Sequence, residues 1–405
     1  MGRGLKTLWQ TYKPLGWAQL FHRKVRLMVA LTGVAFSNIL IFTQLGLRDM
    51  LFDGVTLVPD HLQGDLFLVS AYAPNIDLGT FPKIYLYQAD AVAGVSEASP
   101  LYIEFSNWVN PEDLAQPIGE ESPEEFQLFP NSVKILAFNP DQPVLAIPEV
   151  NQQLERLTAP GAVLFDRLGQ EKLGPVVEQF QSEPIGASTL MSNQRVAVVG
   201  LFSLGSTLFD NGHIVMSDWN YTQWFGKESL ERVSVGCLRL EPGADVEAVR
   251  SRLKSELPPS LKILTQAELA AAEQAFRASL PNGKVLNFGA AMGFVVGMVI
   301  VYQVLYTDIS EHLPEYATLK AMGYSDWVLL RVVLQEAVIL AVLGFIPGYF
   351  ASYGVYQLLV VITRVPLVMK GAVAMQVFWL TLVMCMLSGA IAMNKLRAAD
   401  PADVF

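Results

Sequence analysis

The residues that could do chemistry are few and scattered along the chain. The four histidines, His22, His61, His213 and His312, match no spacing of metal ligands. The sequence also contains no HExxH, CxxC or GxSxG pattern, so it offers no recognised set of metal ligands or activated nucleophile. We therefore expect no catalytic, cofactor-binding or metal-binding residue, and we expect that the chain is not an enzyme by itself.

Two further patterns come close to a known site without completing it. GLFSLGST, residues 200–207, is similar to a phosphate-binding loop, but Ser206 stands where such a loop needs its lysine. Without that cation the phosphates of a nucleotide lack their main charge partner, so the pattern favours a turn between strands. Asn220-Tyr221-Thr222 fits the N-glycosylation pattern, and we interpret it as a chance occurrence.

The composition is typical of a chain divided between membrane and water. Of the 405 residues, 52% are hydrophobic and only 16% are charged. Residues 1–47 carry six basic and no acidic side chains, residues 48–283 carry 15 basic and 31 acidic ones, and residues 284–405 carry seven of each. The acidic central block argues against nucleic acid as a partner, because phosphate binding needs a basic surface.

Four apolar runs are long enough to cross a membrane, since a helix needs about 20 residues to span the hydrocarbon. After the first run no small-residue cleavage site follows, which favours an uncleaved anchor over a signal peptide. The third run contains Pro347 and Gly348, which should bend or break its helix. The predicted transmembrane segments are 27–47, 284–308, 327–361 (including an extension) and 372–393.

The distribution of charge predicts how the chain is oriented. The basic, acid-free segment 1–26, interpreted as an amphipathic segment, should stay in the cytoplasm by the positive-inside rule. With four spans the tail 394–405 also lies in the cytoplasm, and its two basic residues agree with this. The acidic block 48–283 then lies outside, and the segment 309–326 lies in the cytoplasm.

The outer block is predicted to hold an α+β domain. A strand–helix–strand pattern within 48–109 recurs within 232–265, and we interpret the two as a split βαβ part. The Pro- and acid-rich stretch between them, 110–231, is interpreted as an inserted, mostly β subdomain. The fold class is therefore an α-helical membrane domain of four transmembrane helices, with a large α+β domain inserted between helices 1 and 2.

A stalk helix is predicted between the outer domain and the second span. Thr265, followed by Glu268, resembles a capping box that opens an Ala-rich helix over 266–280. The tripeptide Pro281-Asn282-Gly283 should break or kink this helix at the membrane surface.

The cytoplasmic segment EYATLKAMGYSDW, 315–327, is predicted to begin with a helix of about two turns. Pro314 suits the first turn, Glu315 and Lys320 complement the helix dipole, and Gly323 can close the helix. So short a helix is not stable alone in water and needs a surface to lie on. That surface is either its own bundle or another protein, and the spacing alone does not decide between them.

A second set of residues is suited to helix packing. Gly289, Gly293 and Gly297 recur every four residues in the second span, and Gly33 with Ser37 forms a smaller notch in the first. Small residues let backbones approach in lipid, where tight packing supplies the attraction between helices. The spacing favours equally a contact between two chains and packing of spans one and two within one chain.

One acidic residue is predicted to lie inside the membrane. Glu336 falls about two turns into the third span, where a carboxyl group is costly and often functional. Because Arg331 and the membrane surface are close in sequence, a structural hydrogen bond is an equally favoured interpretation.

The segment EYATLKAMGYSDWVLLRVVLQEAVILAVLGFIPGY resembles the core of FtsX-like permeases, the membrane subunits of mechanotransmission-type (type VII) ABC transporters such as the MacB exporters. The shared pattern is a Glu opening a short helix, a basic residue before Ala-x-Gly, and a span carrying Glu-Ala and a Gly-rich turn. HLPEYATLKAMGY and GVAFSNILIFTQLGLRDMLF are similar, more narrowly, to the DevC permeases of the cyanobacterial heterocyst exporter. The residues in the shared positions are Glu315, Lys320, Ala321, Gly323, Glu336, Ala337 and Gly344.

The resemblance implies a membrane permease subunit of an ABC export system, with a MacB-like periplasmic domain. The chain would lie in the inner (plasma) membrane among lipid, with both termini cytoplasmic. A separate ATPase subunit would bind ATP and Mg²⁺ and contact the coupling helix. The residues implied in that contact are Glu315, Tyr316, Leu319, Lys320 and Tyr324.

The resemblance also implies further partners. Motion of the periplasmic domain would drive export, of a glycolipid if the DevC likeness holds, through a membrane-fusion adaptor and an outer-membrane duct. A homodimer is implied because two ATPase subunits close on each other. Two alternatives stay open, namely an FtsX-like signalling or scaffold protein that regulates a cell-wall hydrolase, and a lipoprotein-extracting permease.

Overall fold

The chain folds into two compact units, a helical bundle and a sheet domain. The computed structural model describes residues 24–114, 131–182, 187–311, 322, 325–363 and 367–397. The bundle is built from the residues before Met50, from 282–363 and from those after 366, and the sheet domain is built from Met50–Pro281.

The helices are named in chain order. They are α1 (Lys24–Asp60), α2 (Ile84–Asp90), α3 (Pro111–Leu114), α4 (Pro148–Asn151), α5 (Val176–Ser182), α6 (Asp218–Phe225), α7 (Val246–Glu256), α8 (Gln266–Ser279), α9 (Pro281–Glu311), α10 (Asp326–Thr363) and α11 (Gly371–Arg397). Short 3₁₀ helices occupy Leu154–Thr158, Glu171–Leu173 and Lys227–Glu231.

The strands are named in the same way. They are β1 (Leu66–Ser70), β2 (Phe81–Pro82), β3 (Val95–Asn107), β4 (Ser132–Phe138), β5 (Ala162–Asp166), β6 (Ser188–Met191), β7 (Gln194–Phe202), β8 (His213–Ser217), β9 (Arg232–Val233), β10 (Val235–Leu240) and β11 (Leu261–Leu264).

Within the part of the chain that the structure describes, four helices are long and apolar enough to cross a membrane, which confirms the predicted number. These helices are α1, α9, α10 and α11. The first is longer than predicted, since α1 continues beyond Arg48 to Asp60. Leu51, Val55 and Val58 recur there at helical spacing, so the extension has an apolar face of its own.

Of the bend or break predicted at Pro347, the break is wrong, because α10 is one helix from Asp326 to Thr363. Proline removes one backbone donor from the helix, but spanning helices tolerate this where neighbouring groups satisfy the freed carbonyls.

The sheet domain is built on one nine-stranded sheet with the order β11-β1-β10-β3-β4-β8-β5-β7-β6. In its first four strands each neighbouring pair is antiparallel, and α2 and α7 supply the two crossings. This βαββαβ order is the split βαβ part that the sequence predicts. The sheet buries both of its faces, since Leu66 and Leu68 belong to one apolar cluster and Phe67 and Val69 to another.

The stretch 110–231 does not form a separate, mostly β subdomain, contrary to the sequence-based expectation. β3 pairs with β10 through its first half and with β4 through its second half, so one sheet runs through both parts. Its described residues also include four α-helices, and β4 pairs in parallel with β8. Pro100 lies in the middle of β3. Because proline ordinarily lies at the end of a strand or in an edge strand, the sequence pattern predicts only the second half of β3.

The stalk helix begins at Gln266 as predicted and ends at Ser279, one residue before the predicted end. The side chain of Thr265 accepts from the backbone N–H of Glu268, and the carboxylate of Glu268 accepts from the backbone N–H of Thr265 at 2.9 Å, which completes the capping box. The helix ends at Ser279, and a new helix begins at Pro281.

Candidate functional site

The predicted ATPase-coupling residues lie outside the described residues, so their contacts stay a prediction. The helices on either side are described, with α9 ending at Glu311 and α10 beginning at Asp326. Met322 and Trp327 are exposed at this end of the bundle. The predicted coupling residues concerned are Glu315, Tyr316, Leu319, Lys320 and Tyr324.

The glycine stripe of α9 lies against α1 of the same chain. A Cβ atom added to Gly289 would lie 2.6 Å from the side chain of Gln44, and one added to Gly293 would lie 3.3 Å from Leu40. Gly297 meets Ser37 in the same way, at 2.7 Å. A larger side chain at these positions would press on side chains of α1, so the glycines let the two helices pack closely.

The predicted notch of α1 is the partner of this stripe. A Cβ atom on Gly33 would collide with Ile300 of α9, and Ser37 is fully buried opposite Gly297. The stripe and the notch therefore pack two spans of one chain together, which is the intrachain alternative that the spacing leaves open. In this arrangement they give no support to the predicted dimer contact through the same residues.

A second ridge of small residues packs α10 against α1. Gly344 faces Val34, and a Cβ atom on Gly348 would lie 2.8 Å from the Cβ atom of Asn38. Two turns further along, the hydroxyl of Tyr356 donates to the backbone carbonyl of Phe42 at 2.5 Å.

The fourth span joins the bundle through hydrogen bonds. The hydroxyl of Thr381 in α11 donates to Oδ1 of Asn38 at 2.6 Å, and both residues are fully buried. Ser388, also in α11, donates to the carbonyl of Met298 in α9 at 2.8 Å. α1 is thus in contact with each of the other three spans, by close backbone approach on two sides and by a buried polar link on the third.

Glu336 lies fully buried in α10, as an acid inside the predicted membrane region. It shares a helix face with Val333 and Leu340, which belong to the apolar core of the bundle. A carboxyl group in such a place is costly, and its role stays a prediction.

The sheet domain contains a cluster of charged side chains that the sequence analysis missed. Nζ of Lys134, in β4, lies 3.2 Å from a carboxylate oxygen of Asp77 and 3.4 Å from one of Asp210. Burial alone would lower the pKa of Lys134, but these two carboxylates raise it above its ordinary value. The fully buried His213 lies beside them, with its imidazole 3.4 Å from Asp166 and 3.8 Å from Asp210.

The segment that is similar to a phosphate-binding loop surrounds a carboxylate of its own chain. The backbone N–H groups of Leu204 and Gly205 donate to Asp166 at 3.1 and 2.7 Å. Asp166 ends β5 and is fully buried. The loop between β7 and β8 is therefore a turn, as predicted, and the donors that a phosphate would need are already engaged.

Asn220 of the glycosylation pattern is a buried structural residue. Its side-chain amide donates to the backbone carbonyls of Leu157, Ala159 and Ala162 at 2.9 to 3.2 Å, and its oxygen accepts from the N–H of Gly161. A fully buried and fully engaged amide is not a glycan acceptor, in agreement with the interpretation of the pattern as chance.

A groove of about 450 Å³ opens on the sheet domain beside β2 and β9. One wall is the segment 71–80, which we call the groove loop, and the other includes Pro82, Tyr85 and Arg232. Tyr72 of the groove loop is exposed, and Arg232 donates to the carbonyl of Thr80 at 3.0 Å.

Comparison with known proteins relates both parts of the chain to ABC transporters. Residues 287–401 match the FtsX-like permease C-terminal family. Over 390 residues the chain is 23% identical to uncharacterised ABC transporter permeases of Mycobacterium tuberculosis and Mycobacterium bovis, and each alignment covers 95% of this chain and 96% of the relative.

Two solved structures are also similar to part of the chain. The extracellular domain of the noncanonic ABC-type transporter YknZ from Gram-positive bacteria matches with a TM-score of 0.30 and 12% identity, over 50% of this chain and 98% of that one. The periplasmic region of MacB from Actinobacillus actinomycetemcomitans matches with a TM-score of 0.32 and 8% identity, over 54% of this chain and 94% of that one.

Proposed function

We propose that the chain is the permease subunit of an ABC export system whose ATPase is a separate polypeptide. The observation that carries the proposal is the match of residues 287–401 to the FtsX-like permease C-terminal family. It is supported by the alignment with ABC transporter permeases along nearly the whole chain and by the four apolar helices. The proposal gives this chain no catalytic role.

In the proposed mechanism the ATPase binds ATP and Mg²⁺ and pushes on the coupling segment between α9 and α10. Both of these helices pack closely on α1, α9 through Gly293 and α10 through Gly348. A displacement of either helix would therefore move α1. Packed helices shift as units rather than deforming, because interiors are close-packed. We infer that α1 and α9 carry the motion to the sheet domain.

The remaining parts of the proposal rest on family likeness. The sheet domain would lie in the periplasm of an inner-membrane protein whose termini are cytoplasmic. It would engage a membrane-fusion adaptor and, through it, an outer-membrane duct. Two copies of the chain would form a homodimer over two ATPase subunits, and the DevC likeness suggests a glycolipid as cargo.

The coupling contact is tested by placing charge on its apolar members. We expect the double variant Leu319→Asp, Tyr324→Asp to insert normally but to lose stimulation of the ATPase, because two carboxylates desolvated in an apolar contact cost several kcal/mol. ATP hydrolysis by the partner ATPase is measured with the full-length permease in nanodiscs.

A matched control lies in the same segment. Met322→Asp adds one carboxylate at an exposed side chain outside the predicted contact, and it should leave hydrolysis unchanged. Normal ATPase binding and stimulation by the double variant would show that the coupling helix only covers its own bundle, and the proposed coupling mechanism would then be wrong.

A further inference from the structure

One turn of the sheet domain lies beside both helices through which the chain enters and leaves this domain. The domain comprises Met50–Pro281, so the chain enters it along α1 and leaves it after α8. A Cβ atom added to Gly54 of α1 would lie 3.1 Å from the Cβ atom of Thr207. The guanidinium carbon of Arg277 in α8 lies 3.7 Å from the centre of the Phe209 ring. The turn that carries Thr207 and Phe209 is therefore packed against the two ends of the domain.

These contacts are close in sequence to the predicted membrane spans. Gly54 lies seven residues after the span 27–47, and Arg277 lies seven residues before the span 284–308. Seven residues of helix extend over about 10 Å, which is the largest distance between either contact and the hydrocarbon. The headgroup region fills about 5–7 Å of this distance on each side of the membrane. The turn is therefore within the length of a side chain from the lipid headgroups.

The turn itself, residues 207–210, is held by its own hydrogen bonds, and we call it the stalk turn. The N–H of Thr207 donates to the carbonyl of Asp210 at 3.1 Å. The hydroxyl of Thr207 donates to the carboxylate of Asp210 at 2.9 Å and accepts from the N–H of Phe209 at 3.0 Å. Thr207 and Asp210 are buried, whereas Leu208 between them is 49% exposed. Because the turn is fixed in this way, Leu208 stays at its tip as an apolar side chain in contact with solvent.

Arg277 is a cation without an anion in contact with it. Its Nε is buried without a hydrogen-bond partner, and its guanidinium forms no ion pair with any carboxylate among the described residues. Burial lowers the pKa of Arg277, although the more distant carboxylates of Asp77 and Glu273 oppose this shift. Asp77 is already paired with Lys134. An anion that reached the guanidinium would offset the cost of its desolvation.

The contact with Phe209 leaves the guanidinium able to bind such an anion. The aromatic ring covers one face of the planar group, so the N–H donors remain at its edge. Arranged in a plane, these donors match the oxygens of a phosphate group. The phosphate-binding edge of Arg277 and the apolar tip at Leu208 therefore belong to one small surface.

We propose that the stalk turn is a lipid contact of the sheet domain, in which Leu208 lies among the headgroups and the guanidinium of Arg277 binds a lipid phosphate. Surfaces that combine apolar and basic side chains bind the membrane interface in this way. The contact would hold the sheet domain at the membrane surface beside its two connecting helices. It goes beyond the proposed function and requires only that α1 and α9 cross the membrane.

Fluorescence quenching by lipid tests this contact in the full chain. Leu208→Cys is labelled with bimane, a small apolar fluorophore, and the protein is placed in phosphatidylglycerol nanodiscs that contain a lipid spin-labelled at its headgroup. Since Leu208 lies among the headgroups, the label should lose most of its fluorescence. The native cysteines are buried and need no removal.

Trp219→Cys provides a matched control for the labelled position. Trp219 is 51% exposed, nearly as much as Leu208. The stalk turn precedes β8 and Trp219 follows it, so the five residues of this strand, about 17 Å, separate the two labels. A label at Trp219→Cys should keep its fluorescence in the same nanodiscs.

Variants of Arg277 test the phosphate contact in the chain labelled at Leu208→Cys. Arg277→Gln should lower the ratio of lipid-bound to free turn about fivefold, which is the effect of one basic side chain at an anionic lipid surface. Arg277→Lys keeps the charge, and an ammonium group also binds phosphate, so it should retain most of the quenching. Arg195→Gln removes an exposed cation from β7 and should leave the quenching unchanged.

Three results would overturn the lipid contact. The first is equal quenching of the labels at Leu208→Cys and Trp219→Cys, and the second is quenching that Arg277→Gln leaves unchanged. The third is an equal loss in Arg277→Lys and Arg277→Gln, because stacking on Phe209 and not charge would then hold the turn. Should the Arg277 variants fail to insert, the comparison of the two labelled positions still decides the matter. No ATPase is present in this experiment, so its outcome is independent of the proposed function.

Discussion

At the scale of single residues, Lys134 has the clearest energetic consequence. It neutralises two carboxylates, the fully buried Asp210 and the partly buried Asp77. Lys134→Met would leave both without their cation, and breaking a buried pair in this way costs about 3–5 kcal/mol. We expect the melting temperature of the sheet domain to fall by about 10 °C. Trp108, fully buried in that domain, provides a fluorescence signal for the measurement.

The control for this variant is Lys254→Met, which removes an exposed lysine from α7 and should change the melting temperature by less than about 2 °C. If Lys134→Met and the unaltered chain have the same melting temperature, the charged cluster around Lys134 is solvated in solution. In that case the two carboxylates need no buried partner.

Part of this cluster is visible in the sequence and part is not. A lysine inside the apolar strand SVKILAF is itself a signal, because a buried lysine requires a carboxylate partner. Its partners cannot be predicted, since Asp77 and Asp210 are 57 and 76 positions away along the chain and only the sheet order brings them together.

At the scale of elements, the crossing of α1 and α9 depends on glycine. Gly293→Leu would push its side chain into Leu40 and Ile41, and overpacking of this kind costs about 1–3 kcal/mol. We expect a lower thermal stability of the bundle, measured by loss of helical circular dichroism on heating in nanodiscs.

The bundle contains a matched control in α10. A Cβ atom on Gly354 meets nothing within 4 Å, so Gly354→Leu should leave the stability unchanged or raise it slightly by improving helix propensity. If Gly293→Leu is as stable as Gly354→Leu, the close approach of α1 and α9 does not exist in the membrane.

Element boundaries were predicted best where one physical rule governs them. Hydropathy located all four apolar helices, and the capping box located the start of α8. Prediction failed where the tertiary structure outweighs a local signal. Pro347 does not break α10, which is continuous from Asp326 to Thr363, and Pro100 does not end β3, because two partner strands share that strand.

At the scale of the whole molecule, the proposed orientation can be tested by cysteine labelling in intact cells. Leu168→Cys, exposed in the sheet domain, should react with a membrane-impermeant maleimide, whereas Met322→Cys should not. The native cysteines need no removal, since both are buried and burial raises the pKa of Cys237 to about 12. If Met322→Cys reacts with the reagent added outside intact cells, the segment 309–326 lies outside and the predicted topology is wrong.

The control for this experiment is permeabilisation of the cells. Met322→Cys should then react as fast as Leu168→Cys, because both positions are exposed in the folded chain. If Met322→Cys stays unreactive after permeabilisation, protein covers this position and the result does not report on orientation. Ala402→Cys, in the predicted cytoplasmic tail, then replaces it as the labelling site.

The use of the small residues within one chain limits how two copies could meet. With Gly289, Gly293 and Gly297 turned toward α1, the bundle offers a neighbour large side chains such as Phe350 and Trp379. Helices that interlock through side chains of this size keep their axes about 8–10 Å apart. At that interaxial distance the Cα–H···O contacts that accompany glycine crossings are out of reach. A homodimer that met through these large side chains, and not at the open Gly354 of α10, would therefore be joined in the membrane by interdigitating side chains. Lipid could replace such a contact more easily than a backbone crossing.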